Sequence, residues 1–85
     1  MPDAARTAAA VHLRDDVAAL VIESLPELGA TLVRFTARGE PAGEVWYGSA
    51  EEAQRCAARD YGSTLGPWLE VPPTEPDPVA FVLGR

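Results

Sequence analysis

Four sets of side chains in this 85-residue chain are of types that do chemistry: Cys56, His12 with Asp15 and Asp16, the adjacent carboxylates Glu51 and Glu52, and the arginines around Trp46. A cysteine becomes a nucleophile when a base or a helix N-terminus lowers its pKa. Cys56 is the one cysteine and His12 the one histidine, far apart in sequence, and Cys56 falls mid-helix beside a stripe of alanines. It reads as a small buried residue, and a single cysteine forms no intramolecular disulfide. His12 and Asp16 stand at i, i+4 and could share a proton or a metal on a continuous helix. Two ligands do not complete a metal site, so a solvated or helix-capping role is expected. Gly39-Glu40-Pro41-Ala42-Gly43 lacks the lysine and the following helix of a phosphate-binding loop and reads as a hairpin turn. No catalytic set, metal or cofactor is expected from these residues.

The arginines Arg34, Arg38, Arg55 and Arg59 alternate with glutamates, the pattern of a solvated ion-pair face. Trp46 is the more informative residue. Strand alternation places it on the polar side of a hairpin, opposite Thr36 and between Arg34 and Arg38, and tryptophan and arginine are enriched at interface hot spots. Trp46, Arg34, Arg38 and Thr36 are therefore the expected partner-binding residues. The competing reading has another element cover this face and makes Trp46 part of the core. Trp68, beside Pro67 and Leu69, is expected to close one end of the core, with a partner for its indole N–H.

The elements that position these residues follow from periodicity and caps. Residues 3–25 open with an alanine-rich stretch, after which Val17, Leu20, Val21, Leu25 and Leu28 fit the i, i+3, i+4 spacing of an amphipathic helix with Asp15 or Asp16 to cap its start and Pro26 and Gly29 to end it. A strand over Ala19 to Leu25 is the alternative, because Leu-Val-Ile is β-prone. Thr31 to Arg38 alternates as a half-buried strand. A turn centred on Pro41 would set Phe35 opposite Tyr47, Ala37 opposite Val45, Thr36 opposite Trp46, and Arg38 opposite Glu44 as a cross-strand ion pair. Ser49-Ala50-Glu51-Glu52 is a capping box, with Glu52 reaching back to the cap amide. Its helix buries Ala50, Ala53, Ala57 and Tyr61 and ends at Gly62 in a left-handed cap. Pro67 to Val71 and Val79 to Leu83 read as short strands joined by an extended proline-rich linker. The expected fold is α+β, in the order α-β-β-α-β-β: an N-terminal helix, an antiparallel hairpin, a second helix and two C-terminal strands. These would form a two-layer sandwich in a single domain spanning 1–85.

The strand, turn, strand, Ser-x-x-Glu-Ala helix, glycine and tryptophan strand running from Leu32 to Val71 resemble small actinobacterial proteins of the immunity or accessory type. The resemblance rests most on Trp68 and Glu51-Glu52-Ala53 and carries no site residue over. An actinobacterial source also fits a chain whose seven basic residues are all arginine.

Thirteen acidic residues against those seven give a net charge of −6, which disfavours nucleic acid and anionic membrane and favours basic partners. No apolar run reaches the roughly 18 residues of a membrane span, and the first residues lack a signal-peptide layout. A cytoplasmic location is expected. A chain this short has a small core and often gains a staple by oligomerising; here a homodimer is expected, with Val79 to Leu83 adding a strand to a neighbour. The function expected is that of a non-enzymatic accessory, regulatory or immunity-type protein that binds a protein partner, one of basic character if the acidic field guides the choice. A small-molecule-binding protein is the alternative, and a small enzyme a more distant one.

Overall fold

The computed structural model describes residues 5–12, 17–25 and 27–84. Strands β1 (Ala5–Ala10), β2 (Ala19–Leu25), β3 (Gly29–Phe35) and β4 (Pro41–Tyr47) are followed by helix α1 (Ala50–Tyr61), strand β5 (Leu69–Val71) and helix α2 (Pro78–Leu83). The strands form one antiparallel sheet in the order β4-β3-β2-β1-β5. Helix α1 lies over β2, β3 and β4, and helix α2 over β1, β2 and β5. Successive residues of a strand point to opposite faces. Leu20 and Ile22 pack with Ala53, Ala57 and Tyr61 of α1, whereas Ala19 and Val21 pack with Val79 of α2, so the helices occupy opposite faces.

This arrangement corrects the expected α-β-β-α-β-β two-layer sandwich. The order is β-β-β-β-α-β-α in three layers. Where a helix was expected within residues 3–25, the chain forms β1 and β2; Asp15 and Asp16, the expected caps, lie outside the described residues. Because β2 is buried on both sides, Ala19 to Ile22 form a continuous apolar run without strand alternation, and within such a run Leu20, Val21 and Leu25 fall by chance at helical spacing. Strand β1 is rich in alanine, a helix former. Ala8 and Ala9, both fully buried, are small enough to let elements approach the sheet closely.

The C-terminal segment is corrected the other way. Val79 to Leu83 is helical rather than a strand. Asp77 caps it by accepting the N–H of Ala80 at 3.1 Å, Pro78 occupies the first turn, and Gly84 ends it in the left-handed region at φ 77°. Because α2 docks on its own sheet, the strand exchange expected of this segment in a homodimer has no basis. Its approach is held by Arg6 on β1, whose guanidinium donates to the carbonyls of Pro72 and Glu75 at 3.1 and 2.7 Å.

Helix α1 forms where expected. Ser49 Oγ accepts the N–H of Glu52 at 3.1 Å, and Glu52 Oε1 accepts the N–H of Gly48 at 3.0 Å, one residue before the cap amide. Ala53, Ala57 and Tyr61 are buried and Ala50 packs against them. Gly62 ends the helix at positive φ, 54°, but with ψ at −130° it is not the left-handed cap expected, and it leads into a 3-10 turn over Gly62–Thr64.

Gly29 opens β3 under two constraints. Its φ is 107°, and a β-carbon there would stand 2.5 Å from the Tyr47 carbonyl and 2.6 Å from the Trp46 ring. Gly29→Ala is expected to lower stability by at least about 2 kcal/mol, combining backbone strain with a backbone clash. Urea unfolding measures the loss. A change below half that would mean that β3 and β4 can separate locally without disturbing the rest of the sheet.

Candidate functional site

The hairpin register decides which expected site residues share a face. Ala30 stands opposite Tyr47, Thr31 opposite Trp46, Leu32 opposite Val45 and Val33 opposite Glu44. Pairing Thr36 with Trp46, as expected from a turn on Pro41, is off by five residues, and an odd shift moves every side chain to the other face. The turn is Ala37-Arg38-Gly39. Gly39 N–H donates to the Thr36 carbonyl at 2.9 Å, Thr36 N–H to the Glu40 carbonyl at 2.9 Å, and Gly39 takes φ 85°. This is a three-residue hairpin loop, which needs its glycine in the left-handed region. Pro41 begins β4, where an edge strand tolerates the missing donor. A bulge sets Ala42 and Gly43 against Arg34.

The four expected partner-binding residues therefore separate. Trp46 lies on the α2 side of the sheet, and 58% of it is exposed. Arg34 lies on the α1 side, where its Nε donates to the Tyr61 hydroxyl at 3.0 Å. Thr36 is used in the turn, its hydroxyl oxygen accepting the N–H groups of Arg38 and Glu40 at 3.2 Å each. Arg38 is exposed in that turn, about 17 Å along the strand from the level of Trp46. The expected Arg38–Glu44 pairing is replaced by Val33 opposite Glu44.

Around Trp46, the registers lay out the α2 face in rows. One row runs Val71, Arg6, Glu23, Thr31, Trp46, and the next Leu69, Ala8, Val21, Val33, Glu44. Helix α2 covers the β5, β1 and β2 ends of these rows. The remainder is an open patch in which Thr31, Val33 and Trp46 lie between the exposed carboxylates Glu23 and Glu44. The indole leans across Gly29, where no side chain holds it off the backbone. Exposed aromatic surface beside carboxylates suits a cationic side chain, which gains from the ring face and from the charges together.

On the α1 face, Arg34, Tyr47, Cys56 and Tyr61 meet where the helix crosses β3 and β4. Tyr47 lies beside Cys56, which is partly rather than fully buried as expected. Burial holds the Tyr47 hydroxyl above its ordinary value of 10.0, the Cys56 contact and the Asp60 charge add to this, and Arg34 opposes it. The phenol thus stays protonated at neutral pH and serves as a donor or acceptor rather than a base. The Arg34–Tyr61 bond and the Tyr47–Cys56 contact join α1 to β3 and β4.

A shallow groove of about 430 Å³ lies on the outer side of α1, between Glu51, Gln54, Arg55 and Ala58 and the ring of Trp68. Trp68 packs against the core, as expected. His12 is exposed, and its backbone N–H donates to the Thr64 carbonyl at 2.8 Å. Among the described residues, no group of three or more His, Cys, Asp or Glu side chains could hold a metal ion. No described helix is long and apolar enough to cross a membrane.

Because Tyr47 loses its proton less readily in the folded chain, its contribution to stability is complete below about pH 10 and is lost as pH rises through its folded value. Tyr47→Phe is expected to flatten part of the fall in stability between pH 9 and 11.5, read from melting temperatures across that range. An unchanged slope would place the hydroxyl outside the contact that fixes α1.

Comparison with known proteins returned no matching family model and no significant match among curated proteins or solved structures, so the functional reading rests on these surfaces themselves.

Proposed function

We propose that the chain is a protein-binding module of accessory or regulatory type and that the part of the α2 face left open over β3 and β4 is its docking surface. The observation that carries this reading is Trp46, a tryptophan 58% exposed near the C-terminal end of an edge strand, with Val33 on the same face and, among the described residues, no helix above it. An exposed aromatic on a rigid sheet has the composition of an interface anchor, because most of its apolar area is still available to bury. Glu23 and Glu44, on the same face, favour a partner with cationic side chains. The expected cluster of Trp46 with Arg34 is not part of this reading, since Arg34 faces α1. Small-molecule binding remains the second reading and has the Trp68 groove as its place. That groove is open and shallow, whereas small-ligand sites bury most of the ligand.

A photo-crosslinking amino acid at position 46 is expected to yield a discrete adduct with a second protein in the native host, and the same group at Ala58 on the outer side of α1 to yield none. With that protein purified, Trp46→Ala is expected to weaken binding by about 2 kcal/mol while moving the melting temperature little, because the side chain buries little in the free chain. Normal binding by Trp46→Ala, or an adduct from Ala58 alone, would move the site to the α1 side.

A further inference from the structure

We infer that the site recognises an extended protein segment alternating cationic and apolar residues, which adds to the sheet as a sixth strand along β4. This rests on the reading above that the open face over β3 and β4 is a protein-docking surface, and adds how the partner is held.

Strand β4 is the longer of the two sheet edges, and its residues are exposed along most of its length. Alternate N–H and C=O groups of an edge strand point away from the sheet and can pair with another chain. Proteins guard such edges with proline, bulges and charge. Here Pro41 and the bulge at Ala42 and Gly43 guard only one end. The stretch Glu44–Tyr47 keeps a regular register with β3, with neither proline nor bulge. The other edge, β5, has three residues and is followed by Pro72 and Pro73, so it offers little to a partner.

The two faces of this open stretch differ, which sets the partner's pattern. On the α2 face, an added strand's side chains meet Trp46 and Glu44, a ring and a carboxylate on one strand, about 7 Å apart as i, i+2 neighbours. An arginine or lysine fits there, and Glu23 lies farther along the row of Trp46. On the α1 face, the neighbours are Val45 and Tyr47, both partly buried, which suit an apolar side chain. Charge argues against a second copy of this chain. Each copy carries −6, so two copies brought edge to edge repel one another.

The test uses Trp68→Phe, so that Trp46 is the remaining tryptophan reporter, and a ten-residue peptide alternating arginine and valine at physiological salt. Titration is expected to give a saturable change in Trp46 fluorescence and slower amide exchange at residues 44–47. Replacing arginine by glutamate in the peptide is expected to abolish binding, and Glu44→Gln with Glu23→Gln to weaken it about fivefold. N-methylation of alternate peptide bonds on the pairing side, which removes donors and leaves the side chains, is expected to weaken it at least tenfold. If the N-methylated peptide binds as well as the parent while Trp46→Ala abolishes both, the docking face stands and strand addition is overturned. If neither peptide binds, or the glutamate peptide binds equally well, the cationic strand is overturned, and the crosslink at position 46 decides separately whether the face docks a protein at all. Sedimentation at twice the 9.0 kDa chain mass, lost on Trp46→Ala, would overturn it in favour of a second copy.

Discussion

The length of α2 measured against the width of the sheet governs this molecule. A six-residue helix is about 9 Å long and about 10–12 Å across with its side chains, so its footprint on the sheet is similar whichever way it runs. Five strands at about 4.8 Å spacing present roughly 19 Å between the outer two. Centred on β1, such a helix covers its neighbours and stops short of β3 and β4. The opposite face has α1, twice as long, placed over β3 and β4 together with β2. The sheet is therefore covered on both sides at β2 and on one side at β3 and β4, and the exposed aromatic stands on the side left bare.

Packing on both sides constrains which residues the inner strands can carry. Ala8, Ala9 and Ala19 have no exposed surface, and neither has Ala53 on α1, so close contact is made by methyl groups. The larger buried side chains, Leu20, Ile22 and Leu32, face α1, and each contributes about 2 kcal/mol by leaving water. The polar contacts lie at the margin: Arg34 with Tyr61, Tyr47 with Cys56, and Arg6 with the carbonyls ahead of α2. Each joins a helix or its lead-in to a strand, and among the described residues no buried side-chain polar atom lacks a partner.

What the sequence made legible was local. Ser49 and Glu52 define the start of α1, and the spacing of Ala53, Ala57 and Tyr61 defines its buried stripe, because capping and helical period are set within one or two turns. The alternation of residues 31–35 also announces a strand. The N-terminal half was misread because burial on both sides erases the period that separates strand from helix, and a partner element elsewhere in the chain decides it. Two misreadings had local signals. Asp77-Pro78 followed by Gly84 is a helix start and stop around a run otherwise read as a strand. In the hairpin, Gly39 rather than Pro41 marks the turn, since the loop needs positive φ. That single choice fixes the register, so it also decided the site: Trp46 was legible as an unusual residue, but its neighbours were not.

The pairing of β1 with both β2 and β5 has a consequence for how the chain is made. β2, β3 and β4 are joined by short turns and can pair as they are synthesised, whereas Arg6 meets Val71 only after nearly the whole described chain exists. Pairings so distant in sequence form late and slowly. Until residues 69–84 have left the ribosome, Ala8, Ala19 and Val21 face water on one side, and the second edge of the sheet is bare. The growing chain is then most open to unwanted association, and the emergence of α2 closes that interval.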